Sequence, residues 1–402
     1  MMPIAIDIRS APPSFIPTAM ILRTWSILAL FTLLLNAPAA AQKPTRALDY
    51  GNTILQRTGT MNADSNSVEM LKLLGTVPSA DSVYERVLVR TVSVQVDRDS
   101  FANALATTEL GIREKGKFEY FFRFERIVAL AGLKRYEESL AYADSCIKRY
   151  PANYIFPDMK ARVMNDSGDH ATALKMFEEN VKRFPIVAAT HAALGNMALQ
   201  EGKTAQAALC YSMALCVHYG ASSDENHLNV LDQLLGGTMD NTPVGLDLGK
   251  ADDFSDIDLL LKNRVAMVKG YKMKPDLPYP MCRESHLLFT YLTKNSTGDG
   301  FWSTYYVPFF KRIMSDGLFE GFVYNALANA SNAKIASVVK KKSSVITNFR
   351  TKSWPIMLEL YQTYPDSTGG VAVQHWYGDD GNIDGIGTGN STTGIYSGKW
   401  TH

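Results

Sequence analysis

The chain has 402 residues, 41 lysines and arginines against 40 aspartates and glutamates, a formal charge of +1, and four cysteines. So even a balance gives no whole-molecule field to draw in nucleic acid or an anionic membrane. A chain this long buries enough apolar surface to fold without disulfide staples.

Residues 1–41 read as an export signal. Met20-Ile21-Leu22-Arg23 is a short basic start, and Trp25 to Leu35 is apolar apart from Ser26 and Thr32. Asn36-Ala37-Pro38 then breaks the helix ahead of Ala39-Ala40-Ala41, a small-residue cleavage pattern. Such a run is too short for an anchor, since a bilayer span needs about 20 apolar residues. Residues 1–19 carry Asp7, Pro12, Pro13 and Pro17, unlike a basic leader, so translation from Met20 is expected. Removing 1–41 takes away Arg9, Arg23 and Asp7 and leaves 39 basic and 39 acidic residues. No later stretch is uninterruptedly apolar over the roughly 18 residues of a span, and no cysteine follows the apolar run to carry a lipid. The expectation is an exported, periplasmic or extracellular protein, not integral to a membrane, for which a partner could provide an association with the outer membrane.

Residues 42–119 carry a looser helical signal. Ser65 to Leu74 and Ser79 to Val94 have apolar residues at helical spacing, and Val92 to Val96 alternates in a way that also suits a short strand. Asp99 to Leu110 reads like the second half of a divergent copy of the pattern that follows, as expected of a terminal, capping unit.

Between Tyr120 and Ala221 one pattern is written three times at a spacing of 34, over 120–153, 154–187 and 188–221. Ser139, Ala173 and Ala207 align. Four residues on stand Ala143, Phe177 and Tyr211, and seven on Cys146, Asn180 and Ala214. Five residues before the anchors fall Lys134, Gly168 and Gly202; twelve after come Pro151, Pro185 and Tyr219. A fixed period of this kind signals stacked units that bury their apolar faces only against one another.

The register resembles the tetratricopeptide repeat, a helix–turn–helix unit. The third copy matches best, with Leu194-Gly195, Gly202, Ala207, Tyr211 and Ala214; Arg126-Ile127 and Lys160-Ala161 replace Leu-Gly in the other two. The resemblance covers about a quarter of the chain and implies protein binding rather than chemistry. It places the groove on the first helix of each repeat: Phe121, Phe124, Val128 and Ala131, then Ile155, Asp158, Arg162 and Asn165, then Ala189, Ala192, Asn196 and Leu199. That implies an apolar floor beside a polar strip. Arg162 occupies the asparagine slot of the family's carboxylate clamp, so a C-terminal carboxylate ligand is not indicated. Ordinary solenoid surface, or contact with the chain's own flanking segments, explains the same twelve positions.

Composition shifts after the third copy. Gly220 to Glu225 is a turn cluster, and 222–253 reads as a linker, with four glycines between Gly236 and Asp253. Residues 254–364 form a second helical unit, with Ser255 as expected N-cap, a helix over Glu284 to Lys294, and an aromatic block from Phe301 to Tyr324 around Pro308. The block resembles uncharacterised exported proteins of the same repeat family and reads as core. Lys340-Lys341-Lys342 reads as a solvated helix end, and Trp354 to Tyr364 as the last helix. In 365–402, Val371 to Tyr377 looks like a strand and Gly378 to Asn382 like a hairpin turn. Trp376-Tyr377, Asp380-Gly381, Ile383, Gly387 and Gly398-Lys399-Trp400 resemble one MORN-type hairpin unit.

No catalytic or cofactor motif stands out. Asp380, Asn382 and Asp384 have the opening of a calcium loop, but Ser391 fills the place of the bidentate glutamate, and a hairpin turn explains them as well. Gly385 to Gly389 lacks the helix a dinucleotide loop requires. Cys282 and His286 make half a zinc site at most, and Cys210 and Cys216, about 9 Å apart on one helix, are too far to bridge. Buried free thiols are expected. The reading is a mainly α protein: a tetratricopeptide solenoid, a second helical unit and a short β-hairpin tail. It serves as a non-enzymatic, cofactor-free scaffold or adaptor in the cell envelope, with a protein or peptide partner. Two alternatives remain: a structural subunit of an envelope assembly, and a hydrolase or carbohydrate-binding protein with a pocket at Trp302, Tyr305 and Tyr306.

Overall fold

A computed structural model describes residues 49–361, short gaps at 152, 218–222, 240–242, 244, 276, 278, 329 and 331 aside, and three strands between 373 and 400. The export segment 1–41 lies outside the described residues. The chain is mostly helical and divides into two compact units, one ending at Leu133 and one beginning at Lys134.

The first unit holds α1 (Asp49–Gly59), α2 (Ala63–Leu74), α3 (Tyr84–Asp97), α4 (Phe101–Glu114) and α5 (Glu119–Gly132). Val92 to Val96 is helical, not extended: Val87, Leu88, Val92 and Val96 continue one buried helical face. On α4 the buried Ala104, Thr108 and Gly111 repeat the four-then-three spacing of Ser139, Ala143 and Cys146. The α5 N-terminus is tied down from a distance, where Phe118 N donates to Glu85 Oε1 at 2.9 Å.

The second unit opens with α6 (Tyr136–Arg149), α7 (Ile155–Asp166), α8 (His170–Arg183), α9 (Ala188–Gln200) and α10 (Thr204–Val217). The starts of α6, α8 and α10 are spaced by the sequence period, and so are their ends. All nine anchor residues of the three copies are buried; the most exposed, Asn180, reaches 6 %. The turns repeat too: Lys134, Gly168 and Gly202 all adopt left-handed backbone, with φ of 58°, 93° and 69°. At the two glycines the chain closes by the same six-to-one bond, Asp169 N to Met164 O at 3.0 Å and Lys203 N to Ala198 O at 2.9 Å.

A Cβ at Gly168 or Gly202 would meet nothing within 4 Å. Gly168→Ala is therefore expected to cost about 1 kcal/mol from backbone conformation alone. Lys134→Gly is expected to change stability in the opposite direction, by less. Urea midpoints of the two variants, measured side by side, check this pair of signs.

The chain continues through α11 (Ser223–Leu235), α12 (Ser255–Lys262), a 3-10 turn (Val265–Met267), α13 (Pro280–Lys294), α14 (Phe301–Tyr305), α15 (Val307–Ser315), α16 (Phe319–Leu327), α17 (Ala333–Lys340) and α18 (Ser343–Tyr361). Several boundaries differ from the sequence reading. Ser223 to Glu225 belong to α11 rather than to a turn. Ser255 starts α12 but does not cap it; its N and Oγ both donate to Asp253 Oδ1. Pro280 carries α13 one turn further back, because proline suits a first helical position. Pro308 opens α15 in the same way. The last helix starts at Ser343 and runs through Pro355.

One apolar core runs from Ala161 to Tyr361 and takes in both the repeat helices and the aromatic block. Helix α10 is its centre. Ala205 to Val217 are buried on every face, with α9, α11, α12 and α16 packed around them. A helix apolar all round belongs inside a protein.

Helix starts are held across long sequence separations. Asp258 Oδ1 accepts from Ala205 N at 2.7 Å at the start of α10, and Asp232 Oδ1 from Met281 N at 2.9 Å at the start of α13. Asp252 receives Trp302 N at 3.1 Å and Ser303 N at 2.9 Å at the start of α14. Each carboxylate satisfies amides that have no partner within their own helix and faces the positive end of the helix dipole.

Candidate functional site

The groove residues expected on α5 lie in the first unit. Phe121 and Val128 are buried, at 2 % and 1 % exposed, and Phe124 is half-buried with its ring 6.4 Å from that of Phe121.

Those of the second unit lie along α7 and α9 as a mixed strip, with polar Asp158, Arg162, Asn165 and Asn196 among apolar Ile155, Ala189, Ala192 and Leu199. Ile155, at the start of α7, is half-buried. Arg162 pairs with Asp158 one turn earlier at 2.9 Å, both side chains nearly out of water. Its guanidinium also donates to Ala189 O on α9 at 3.2 Å and sits 5.8 Å from the centre of the Phe177 ring. One turn on, burial pushes the Asp166 carboxyl up to about 6, against the pull of Arg162. Asn165 bonds His170 Nδ1 at 2.8 Å, and Asn196 accepts from the Tyr211 hydroxyl. Leu199 is buried, at 7 %, as are Ala189 and Ala192. The structure thus brings Asp158, Arg162 and Asp166 together, and leaves Ile155, Asn165 and Asn196 as the strip's partly accessible members.

A second polar cluster, absent from the sequence reading, is sealed in the core. His191 Nε2 lies 2.9 Å from Pro185 O, a carbonyl that only accepts, so this nitrogen carries the proton. Nδ1 then accepts from the Tyr306 hydroxyl at 2.8 Å, and Tyr306 in turn meets the Cys210 thiol. Tyr305 donates to Val181 O at 2.6 Å, Tyr361 to Tyr305 O at 3.0 Å, and Asn325 to Leu215 O at 2.9 Å. Val181 and Leu215 occupy equivalent places in successive repeats, among the terminal carbonyls that a helix cannot satisfy itself. The clue available in sequence is an ionisable His191 within the largely apolar Ala188 to Leu199, where Thr190 and Asn196 are the other polar side chains: a buried polar group must find a partner.

Burial pushes the Cys210, Cys216 and Cys282 thiols well above their ordinary values, and all four cysteines are buried and outside any disulfide. Trp302, Tyr305 and Tyr306, considered as pocket lining, are core residues at most 5 % exposed. His286 bonds the Tyr271 hydroxyl at 2.7 Å, and no three metal-binding side chains converge among the described residues. Asp380 and Asn382 lie outside the described residues, and of Asp384 only its place in a strand is described. A hollow of about 300 Å³ beside Gly321 and Phe349 holds one carboxylate, Glu320, which pairs with Lys342 at 2.8 Å.

His191 gives the core a pH dependence. Burial, and secondarily His227, lower its pKa to about 4 against the bond to Pro185. The neutral ring's contribution is complete above the ordinary value near 6.5 and is lost as pH falls through 4. Asp258 and Glu284, raised by burial to about 6 and about 7, act with the opposite sign: their contributions are lost as pH rises through those values. Acidification from pH 7 to about 4 should therefore cost the wild type on the order of 3 kcal/mol more than His191→Gln. Paired denaturation curves at the two pH values test it; parallel losses would contradict the assignment.

No protein-family model matches the chain, and no curated protein matches it. Among the described residues, no helix is long and apolar enough to cross a membrane.

Proposed function

We propose that this is an exported α-solenoid protein, tetratricopeptide-like in its repeats, that binds a protein or peptide as a scaffold or adaptor and catalyses nothing. The observation that carries the reading is periodicity at three levels at once: anchor burial, helix boundaries and left-handed turns all recur at the repeat spacing. Stacked units of this kind present a continuous face to partners. The partly accessible strip of Ile155, Asn165 and Asn196, with the Asp158–Arg162 pair beneath it, is the surface we assign to the partner. The buried arginine pair fixes the strip's shape, so contact falls to the residues beside it.

The tail reading rests on strand pairing. β1 (Val373–Tyr377) runs antiparallel to β2 (Ile383–Asn390), and β2 to β3 (Ile395–Trp400). This supports a MORN-like hairpin extension. Export to the periplasm or beyond rests on the 1–41 sequence pattern alone.

The test begins with capture from an envelope extract, followed by purification of the captured protein and a direct affinity measurement. Ile155→Glu with Asn165→Ala is the probe, because a carboxylate in the first turn of a helix is tolerated by the fold. An affinity at least tenfold weaker, with an unchanged melting profile, is expected. Equal affinity would remove the strip from the interface.

A further inference from the structure

Five cations fall between Lys262 and Lys274, namely Lys262, Arg264, Lys269, Lys272 and Lys274, with no acid among them. The overall neutrality of the chain hides this segregation. All five side chains are exposed, and none joins an ion pair among the described residues. Val268 stands in their midst at 57 % exposed, and Leu259, one turn before Lys262 on α12, is 59 % exposed. Val268 is thus an exposed aliphatic side chain inside the basic stretch, and Leu259 another just before it.

The loop is held in one shape. Ala266 is fully buried and its N donates to Glu284 Oε1 at 3.0 Å. Arg283 donates to Ala266 O at 2.8 Å and Val268 O at 3.3 Å, and the Tyr271 hydroxyl meets His286 Nδ1 at 2.7 Å. Tyr271 N bonds Val268 O at 3.0 Å, which folds Lys269-Gly270 out as a tip. Of the neighbouring acids, Glu284 points into the loop, Asp258 caps α10, and Asp256 sits at the far end of α12, while Asp276 follows Lys274 by two residues in sequence.

We propose that the loop 262–274 is a membrane-surface contact, binding the phosphate headgroups of anionic phospholipids through its cations and seating Val268 and Leu259 at the headgroup–acyl boundary. Four of the five cations are lysines, compact charges on flexible stems that suit a diffuse layer of phosphates rather than a fixed carboxylate geometry. The attraction acts only within a Debye length, about 8–10 Å at ordinary salt, so the neutral remainder of the chain does not oppose it. An acidic protein surface would match the charges but give the two aliphatic side chains no apolar seat. Amphipathic attachment of this kind needs no spanning helix.

Flotation of the full chain with phosphatidylcholine vesicles, with and without phosphatidylglycerol, tests the inference. Binding is expected only with the anionic lipid and should fade as salt rises. Lys269→Glu with Lys272→Glu should weaken it at least tenfold, and Val268→Asp should weaken the part that survives salt. Lys340→Glu with Lys341→Glu, the other lysine cluster, should leave it intact. These side chains are exposed, and far-UV circular dichroism will show that each variant is folded. Equal binding to neutral vesicles, no binding to either, or equal loss in the control would overturn the proposal. So would retention on polyglutamate without vesicle binding, which would reassign the loop to an acidic protein.

Discussion

Arg162→Glu is expected to destabilise the second unit by about 3–5 kcal/mol, the usual consequence of breaking a buried ion pair and leaving its partner charged. The guanidinium is 11 % exposed and Asp158 7 %, so neither charge is screened by water. Glutamate at this position would face Asp158 one turn before and Asp166 one turn after. It would also strand Ala189 O and remove the cation from the Phe177 ring. The companion Asp158→Asn with Arg162→Met should recover most of the loss, since removing both charges removes the desolvation penalty too. Urea denaturation followed by circular dichroism decides it. A wild-type midpoint for Arg162→Glu would mean that water reaches the pair.

Trp302→Ala is expected to cost about 3–5 kcal/mol, the range for deleting a buried aromatic side chain. Trp302 has no exposed surface, stacks on Tyr306 at 5.7 Å and meets Phe301 edge-on at 5.6 Å. Its Nε1 donates to Leu248 O at 3.3 Å, so alanine leaves both a cavity and an unpaired carbonyl. Trp302→Phe keeps most of the volume and loses the donor, and should cost about 1–2 kcal/mol. If the two variants unfold at the same midpoint, the indole bond rather than the filled space is what matters.

These two cases mark where sequence reasoning reaches and where it stops. Local periodicity is written directly in the chain, so the anchors Ala173, Phe177 and Ala207 and the turns at Gly168 and Gly202 could be read from spacing alone. The aromatic block from Phe301 to Tyr324 was legible as core because so much apolar area has few other places to go. What escaped depends on partners about fifty residues away or more. Asp252, Asp232 and Asp258 look like solvated acids in sequence, and only tertiary packing makes them caps of α14, α13 and α10. Arg162 escaped for another reason, since its partners Asp158 and Ala189 are only four and 27 residues away. Groove geometry suggested a side chain free for a partner, whereas the fold employs it against Asp158 and Ala189. The cations of 262–274 are spread over thirteen residues and interrupted by apolar ones, a weaker mark than the three consecutive lysines at 340–342.

The burial of α10 on every side has a consequence for biosynthesis. Repeat arrays ordinarily fold by adding each unit to its predecessor. Here the last repeat helices finish only when Tyr305, Tyr306 and Asn325 arrive, through bonds spanning 124, 115 and 110 residues of chain. Closure over such distances is slow, and a nascent chain exposes apolar surface while it waits. A product that stops after α11 would present the flank of α10 meant for α12 and α16, making it a substrate for chaperones and proteases.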